Sequence, residues 1–194
     1  MSETRSSLLR RVRDAKDSAS WREFVALYEP LLLSYVRSRG LNDHDARDVV
    51  QEILAGLVKA MPNFELDRGR GRFRTWLWQV THNALADAAR KRQRRRATED
   101  GWRQRSAADA GGPDRQWLTS YRQRVLEFAL EQVRGRTQPA TWACFERHVL
   151  QGHASKEVAK ALGVSANVVY VNASRVLGRV REQCAEYLEE LADE

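Results

Sequence analysis

Two cysteines in 194 residues, Cys144 and Cys184, are too few for a disulfide framework, and the chain reads as one suited to a reducing interior. No apolar run approaches the ~18 residues that a membrane span needs. The opening stretch, MSETRSSLLRRVRDAKDSAS, is charged throughout and lacks the apolar centre of a signal peptide. Proline occurs four times and glycine eleven, against abundant Ala, Leu, Arg and Glu, which predicts a mostly helical chain. Catalytic signatures are missing as well. Gly69-Arg70-Gly71 and Gly111-Gly112 match no phosphate loop, and neither a metalloprotease helix nor a Gly-x-Ser-x-Gly elbow is present. The sequence therefore predicts no enzyme and no cofactor. It excludes a secreted mini-protein, a membrane protein and a collagen-like chain. What it does hold is enough hydrophobic residue, 42%, to build a core, and a net charge of +7 with a pI near 9.8. That surplus points to an anionic partner, nucleic acid or membrane surface, without choosing between them.

The charge is unevenly placed. Between Arg68 and Arg96 stand ten Arg or Lys and one acid, Asp87, whereas the last thirteen residues carry six acids and no base. Residues 97–116, ATEDGWRQRSAADAGGPDRQ, lose apolar periodicity and gather Gly, Pro, Ser and Asp. They read as a linker, which predicts one domain over 1–96 and another over 117–194. In the first, Ser20 and Glu23 form a capping-box pattern ahead of a helix that Pro30 should kink or restart. Asn42 or Asp43 can cap a second helix with Val49, Val50, Ile53, Leu54, Leu57 and Val58 on its apolar side. Asp48, Gln51, Glu52 and Lys59 fall on the other side, and Pro62 ends it. A Gly/Arg loop with Arg68, Arg70, Arg72 and Arg74 leads to a third helix from about Phe73 to Arg95.

In the second half, one helix ends near Gly135 and another follows Pro139 to Gly152. Residues 155–165, SKEVAKALGVS, then read as a short helix, a glycine suited to a left-handed turn, and a serine that can cap the next helix. Val169, Ala173, Val176 and Val180 form the buried stripe of that last helix. The pattern is a helix-turn-helix, with an ordinary helical hairpin as the plain alternative. Opposite Val169 lie Asn167, Val171, Ser174 and Gly178, flanked by Tyr170 and Arg175, groups able to read base edges in a major groove. The run from Arg90 to Arg96 is either a solvated helix end or a phosphate-binding strip. The nearby Trp76 and Trp78 favour the second, with one of them expected in the core and the other toward DNA. Cys144, His148 and His153 lack a fourth ligand, so no metal site is expected.

With both halves in view, the chain resembles the extracytoplasmic-function group of bacterial sigma-70 factors. Residues 45–52, DARDVVQE, look like that family's region 2.2 helix, and the resemblance implies that Asp48, Gln51 and Glu52 bind core RNA polymerase. Residues 73–87, FRTWLWQVTHNALAD, and the basic run after them look like regions 2.3 and 2.4, which melt and read the minus-ten element. By that likeness Phe64, Trp76, Asn83, Asp87, Arg90, Lys91, Arg94 and Arg95 touch minus-ten DNA, with Asn83 at a flipped base and Phe64 and its loop closing over it. The segment from Ser155 to Glu182 looks like region 4.2, which implies minus-thirty-five contacts from Lys156, Asn167, Tyr170, Ser174, Arg175 and Arg179. One departure stands out. Many members carry Thr-Val-Lys-Ser-Arg in the recognition helix, where this chain has Val168-Val169-Tyr170-Val171-Asn172, so the family's base preference does not carry over.

The sequence thus predicts an all-α protein of two small helical domains joined by a flexible linker. It should act as a promoter-specificity subunit with core RNA polymerase and promoter DNA as partners, an anti-sigma factor as a further one, and no membrane insertion. The location expected is cytoplasmic, on the nucleoid when bound to polymerase. With no sensing domain expected after Glu194, regulation would act through a separate partner or expression. The rival is a free-standing helix-turn-helix regulator that binds duplex DNA without polymerase. A peripheral membrane or RNA-binding helical protein stands further off.

Overall fold

A computed structural model describes residues 8–64, 73–97 and 112–188. A single turn, α1 (Leu8–Arg11), precedes the long helix α2 (Ser18–Ser38). Asp17, not Ser20, caps α2: its carboxylate accepts the Ser20 amide at 3.0 Å and the Ser20 hydroxyl at 2.6 Å. The expected Ser20–Glu23 capping box is therefore not formed, and Glu23 pairs with Arg11 at 3.0 Å instead. A carboxylate can take both donors at once and suits the positive end of the helix dipole. Pro30 does not restart α2, which runs through it as one helix. Leu27 and Tyr28 before the proline and Leu31 and Leu32 after it are all buried, and that packing overrides the lost backbone bond.

Asn42 caps α3 (Asp43–Ala60), its side-chain oxygen accepting the Asp45 amide at 2.9 Å. Val49, Val50, Ile53, Leu54 and Leu57 are buried as the periodicity requires, but Val58 is 43% exposed. Leu57 takes the inward position at that turn, and Val58 lies ~100° further round. A short turn, Met61–Asn63, holds Pro62. Then come α4 (Phe73–Ala97), α5 (Arg115–Gly135), α6 (Pro139–Phe145) with a wider π turn over Glu146–Leu150, α7 (Ser155–Leu162) and α8 (Ala166–Leu188).

The chain divides into two compact units, Met1–Arg124 and Val125–Glu194, so the division falls inside α5. In the first unit α2 packs on α3 and α4 around Phe24, Leu32, Leu57, Phe73 and Leu77. The first turns of α5 complete this core with Trp117 and Tyr121. Burying Tyr and Trp this deeply requires partners for their polar tips. The Trp117 indole donates to the Arg74 carbonyl at 3.1 Å, and the hydroxyls of Tyr28 and Tyr121 meet at 3.2 Å. The Tyr35 hydroxyl is a hub. It accepts from the Trp78 indole at 3.1 Å and donates to the Asp114 carboxylate at 2.8 Å. Asp114 also caps α5 through the Trp117 amide at 2.7 Å and pairs with Arg39. Burial, helped by the bond to Asp114, pushes the Tyr35 hydroxyl above its ordinary pKa. Burial also acts to raise Asp114, but the Trp117 amide, the Tyr35 hydroxyl and Arg39 together hold its carboxyl below the usual value.

Among the described residues, the second unit holds two clusters of buried side chains. One joins Ala129, Val133, Trp142, Phe145, Val176 and Val180, and the other joins Cys144, Val158, Ala159 and Val169. Gly163, at φ +67°, makes the left-handed turn between α7 and α8 that other residues adopt only with strain. The Ser165 hydroxyl accepts the Val168 amide at 3.3 Å, so the serine cap expected at this turn is in place.

Asp114→Asn should cost the first unit about 1 kcal/mol at neutral pH, because Asn still caps α5 but loses the charge that pairs with Arg39 and accepts from the Tyr35 hydroxyl. The folded carboxyl titrates below the unfolded one, so the wild-type advantage is full above about pH 4 and fades as pH falls through the folded value. Urea unfolding followed by tryptophan emission at pH 7 and near pH 3 checks this. A gap between the two proteins that stays constant over that range contradicts it.

Candidate nucleic-acid interface

α4 has two different halves. Arg74, Leu77, Trp78 and Thr81 are buried, and beyond Thr81 no described side chain of the helix is fully buried. On the opposite side, at ~100° per residue, Trp76, Asn83, Asp87, Arg90 and Arg94 form one row with Lys91 at its edge. Asn83 to Arg94 spans about 16 Å of helix axis. Of the tryptophan pair, Trp78 is therefore the core member, stacked on His82 at 4.9 Å. Trp76 is half-buried, at the foot of the outward row. Phe64 packs on it at 4.6 Å and on Phe73 at 5.5 Å, making an aromatic trio. Phe64 thus sits at the start of α4, two helical turns from Asn83 rather than over it. The loop expected to carry Arg68, Arg70 and Arg72 lies outside the described residues, as does the side chain of Arg95. Arg74 is buried and so is no open cation for that loop.

A groove of about 440 Å³ runs between α3 and α4, lined among others by Glu52, Gly56, Asn83, Asp87, Lys91 and Arg94. The glycine keeps the α3 wall low. Polar groups in the groove are held by short contacts: Gln79 donates to Asn83 at 3.0 Å, Arg90 pairs with Asp87 at 3.0 Å, and Lys91 pairs with Glu52 at 3.0 Å. Both ion pairs are more than half exposed, so each is worth at most about 1 kcal/mol and can be exchanged for a phosphate. The grouping separates the α3 residues. Glu52 belongs to the groove wall, whereas Asp48 and Gln51 stay on the open surface of α3, Asp48 beside His44 at 3.4 Å.

In the second unit Lys156, Asn167, Tyr170, Ser174, Arg175 and Arg179 are all exposed. Lys156 stands in the first turn of α7 and the other five on the open side of α8. The Tyr170 ring meets His148 edge-on at 5.1 Å, and His148 is fixed by the His153 carbonyl at 2.8 Å. Asn172 turns inward, its amide 3.7 Å from the Cys144 sulfur. Val168 and Val171 are exposed on the same side as Arg175. They stand where the resembled pattern has Thr and Ser, and the helical period already placed Val171, but not Val168, among the outward residues. No group of three potential metal ligands occurs among the described residues.

Residues 24–95 match the family model described as Sigma-70 region 2. Over 175 residues the chain is 25% identical to the ECF RNA polymerase sigma factor SigE of Mycolicibacterium smegmatis, covering 89% of this chain and 65% of that protein. Over 168 residues it is 28% identical to the RNA polymerase sigma factor NccH of Alcaligenes xylosoxydans xylosoxydans, covering 84% and 86%. Among solved structures it is similar to the sigma factor RpoE of Bartonella quintana, crystallised with the anti-sigma factor NepR. The identity is 20%, the coverage 84% of this chain and 94% of that one, and the TM-score 0.36.

Glu52→Gln should release Lys91 and steepen the salt dependence of single-stranded DNA binding by close to one counterion, about 0.7 in the log–log slope. Arg94→Ala should flatten it by a similar amount. Fluorescence anisotropy across a salt series measures both, and two variants that shift the slope the same way contradict the groove's role in phosphate contact.

Proposed function

We propose that the chain is a sigma-70 factor of the extracytoplasmic-function group, to whose members it is similar, and that it binds bacterial core RNA polymerase and directs it to promoters. The first unit melts and reads a minus-ten element, and α8 reads a minus-thirty-five element. The observation that carries this reading is the outward row of α4. A stacking aromatic, an amide and a file of cations on one face are what an unpaired strand needs. Such a row has little use in a regulator that binds only closed duplex.

The chemistry is recognition rather than catalysis. A base leaving the duplex costs a few kcal/mol in unstacking. Trp76, supported by Phe64 and Phe73, offers an aromatic surface against that cost. Asn83 offers its amide N–H donors and the remaining lone pair of an oxygen that already accepts from Gln79, so it favours a base edge that matches both. Arg90, Lys91 and Arg94, with Arg95 beyond them, hold the backbone without regard to sequence. Asp87 keeps Arg90 in place until a phosphate competes for it. Asp48 and Gln51 on the open face of α3 serve the polymerase contact, and Glu52 takes part in both surfaces. An anti-sigma factor belongs to the same reading as a regulatory partner, and a cytoplasmic location follows from it. No described helix is long and apolar enough to cross a membrane.

Copurification with core polymerase is the direct test. Gln51→Ala should reduce it, while Asn83→Ala and Arg175→Ala should not. On reconstituted polymerase, Arg175→Ala should weaken use of the upstream element by a factor of ten or so, about 1–3 kcal/mol for a lost bidentate base contact. It should spare opening of a pre-melted template. Asn83→Ala should leave the upstream element alone and relax one base preference in the minus-ten element. Identical profiles for the two variants on promoters with each element scrambled contradict separate base-reading roles. Tight, specific footprints from the chain alone point to the free-standing regulator instead.

A further inference from the structure

The open side of α8 is more apolar than a phosphate-binding helix requires. Val168 is 39% exposed and Val171 37%, on a helix whose inward stripe, Val169, Ala173, Val176 and Val180, is already satisfied. Neither valine contributes to either buried cluster of its unit. Two β-branched residues on the outward face at the start of a helix gain nothing in helix propensity. Other apolar side chains are as exposed elsewhere, so it is the position of these two beside Arg175 that matters.

Their surroundings point to duplex DNA. From Val158 to Arg181 the chain carries four bases, Lys160, Arg175, Arg179 and Arg181, and no acid. Val168, Val171 and Arg175 follow one another at spacings of three and four, which places them in one row along the outward face. The rise between the valines is about 4.5 Å, and from Val171 to Arg175 about 6 Å. Those steps are close to one and two base-pair rises, so each side chain meets a different pair. A protein partner would be met by an apolar patch without this basic frame. The frame favours a polyanion.

Resting on the reading of α8 as the minus-thirty-five helix, we propose that Val168 and Val171 read thymine C5-methyl groups in the major groove, one to two base pairs from a guanine taken by Arg175. The physical basis is that the methyl is the one apolar group a base pair shows in that groove. Arg175 supplies the polar half of the code through a fork that matches guanine O6 and N7. The valines supply the apolar half, because a branched side chain with a single favoured rotamer can cover a methyl at little entropic cost. Where a cation at these positions would bind any phosphate, a valine discriminates by the presence or absence of one carbon.

Replacing thymine by uracil removes that carbon and leaves every hydrogen-bonding group in place, which gives a clean test. The full chain assembled with core polymerase is used to enrich duplexes randomised over the upstream element. Each enriched duplex is then resynthesised with uracil at one thymine at a time. The expected result is a loss of about fourfold in affinity at one or two thymines, the scale of one buried methyl group. That sensitivity should disappear in Val168→Ala/Val171→Ala, whose surface positions leave the fold intact, and should be kept in Val171→Ile. Equal affinity for thymine and uracil at every position overturns the proposal, as does undiminished uracil sensitivity in the double alanine variant. Enrichment of no upstream sequence at all overturns the base-reading role of α8 and this proposal together. Enrichment that depends on Arg175 but not on any methyl removes the proposal alone.

Discussion

The first unit depends on how firmly the front of α4 is held. Its rear half presents six bases in seven residues from Arg90 to Arg96, a run that repels itself and has no core to bury in. Such a segment keeps a fixed direction only if the preceding turns are anchored. Leu77, Trp78 and Thr81 provide the buried contacts, and the Trp78 indole is tied to the Tyr35 hydroxyl, which is tied in turn to Asp114. The anchoring chain passes through three helices. Because an unpartnered indole or hydroxyl in that core costs about 1–3 kcal/mol, each member constrains the next. The basic arm can therefore be rigid at its root and open at its surface, a combination that neither propensity nor charge pattern provides alone.

Much of this was legible from period and punctuation. The boundaries of α3 and α4, the Gly163 turn and the buried stripe of α8 were all written as apolar residues three and four apart with a cap or a breaker at each end. The same counting, extended around α4, separates Trp76 from Trp78 and places Trp76 on the row of Asn83. What pattern reading missed were choices between near-equivalent local options. Asp17 and Ser20 both suit a cap, and the carboxylate won because it takes two donors. Pro30 is a breaker by propensity and was overruled by four buried neighbours. Asp114 stood in a stretch read as linker. Its function comes from residues 75 and 79 positions away, Arg39 and Tyr35, and no local pattern encodes those meetings.

The groove between α3 and α4 illustrates the same boundary between local and tertiary information. Asn83, Asp87 and Lys91 lie on one helix face by spacing alone, but the partner of Lys91 is 39 residues away on α3. Family likeness assigns Glu52 to a protein contact, while its ion pair draws it to the wall that faces the cations. An exposed pair of this kind stabilises the fold little. Under the proposed reading its larger effect is on ligand binding, since it lowers the positive potential of the groove and would be given up to a phosphate.

The two surfaces also differ in what they can discriminate. On α4 the cations outnumber the groups able to distinguish one base from another, so under the proposed reading its affinity is expected to be set mainly by phosphates and to fall steeply with salt. On α8 the outward face mixes Asn167, Ser174 and Arg175 with Val168 and Val171, and few of these groups gain from a phosphate alone. Contacts of that kind change little with ionic strength but vary with sequence. Under the proposed reading, raising the salt weakens the hold of α4 on the strand backbone before it weakens base selection by α8. The tryptophan at the foot of the α4 row partly offsets this imbalance, since stacking on an aromatic face is indifferent to salt and tolerant of sequence.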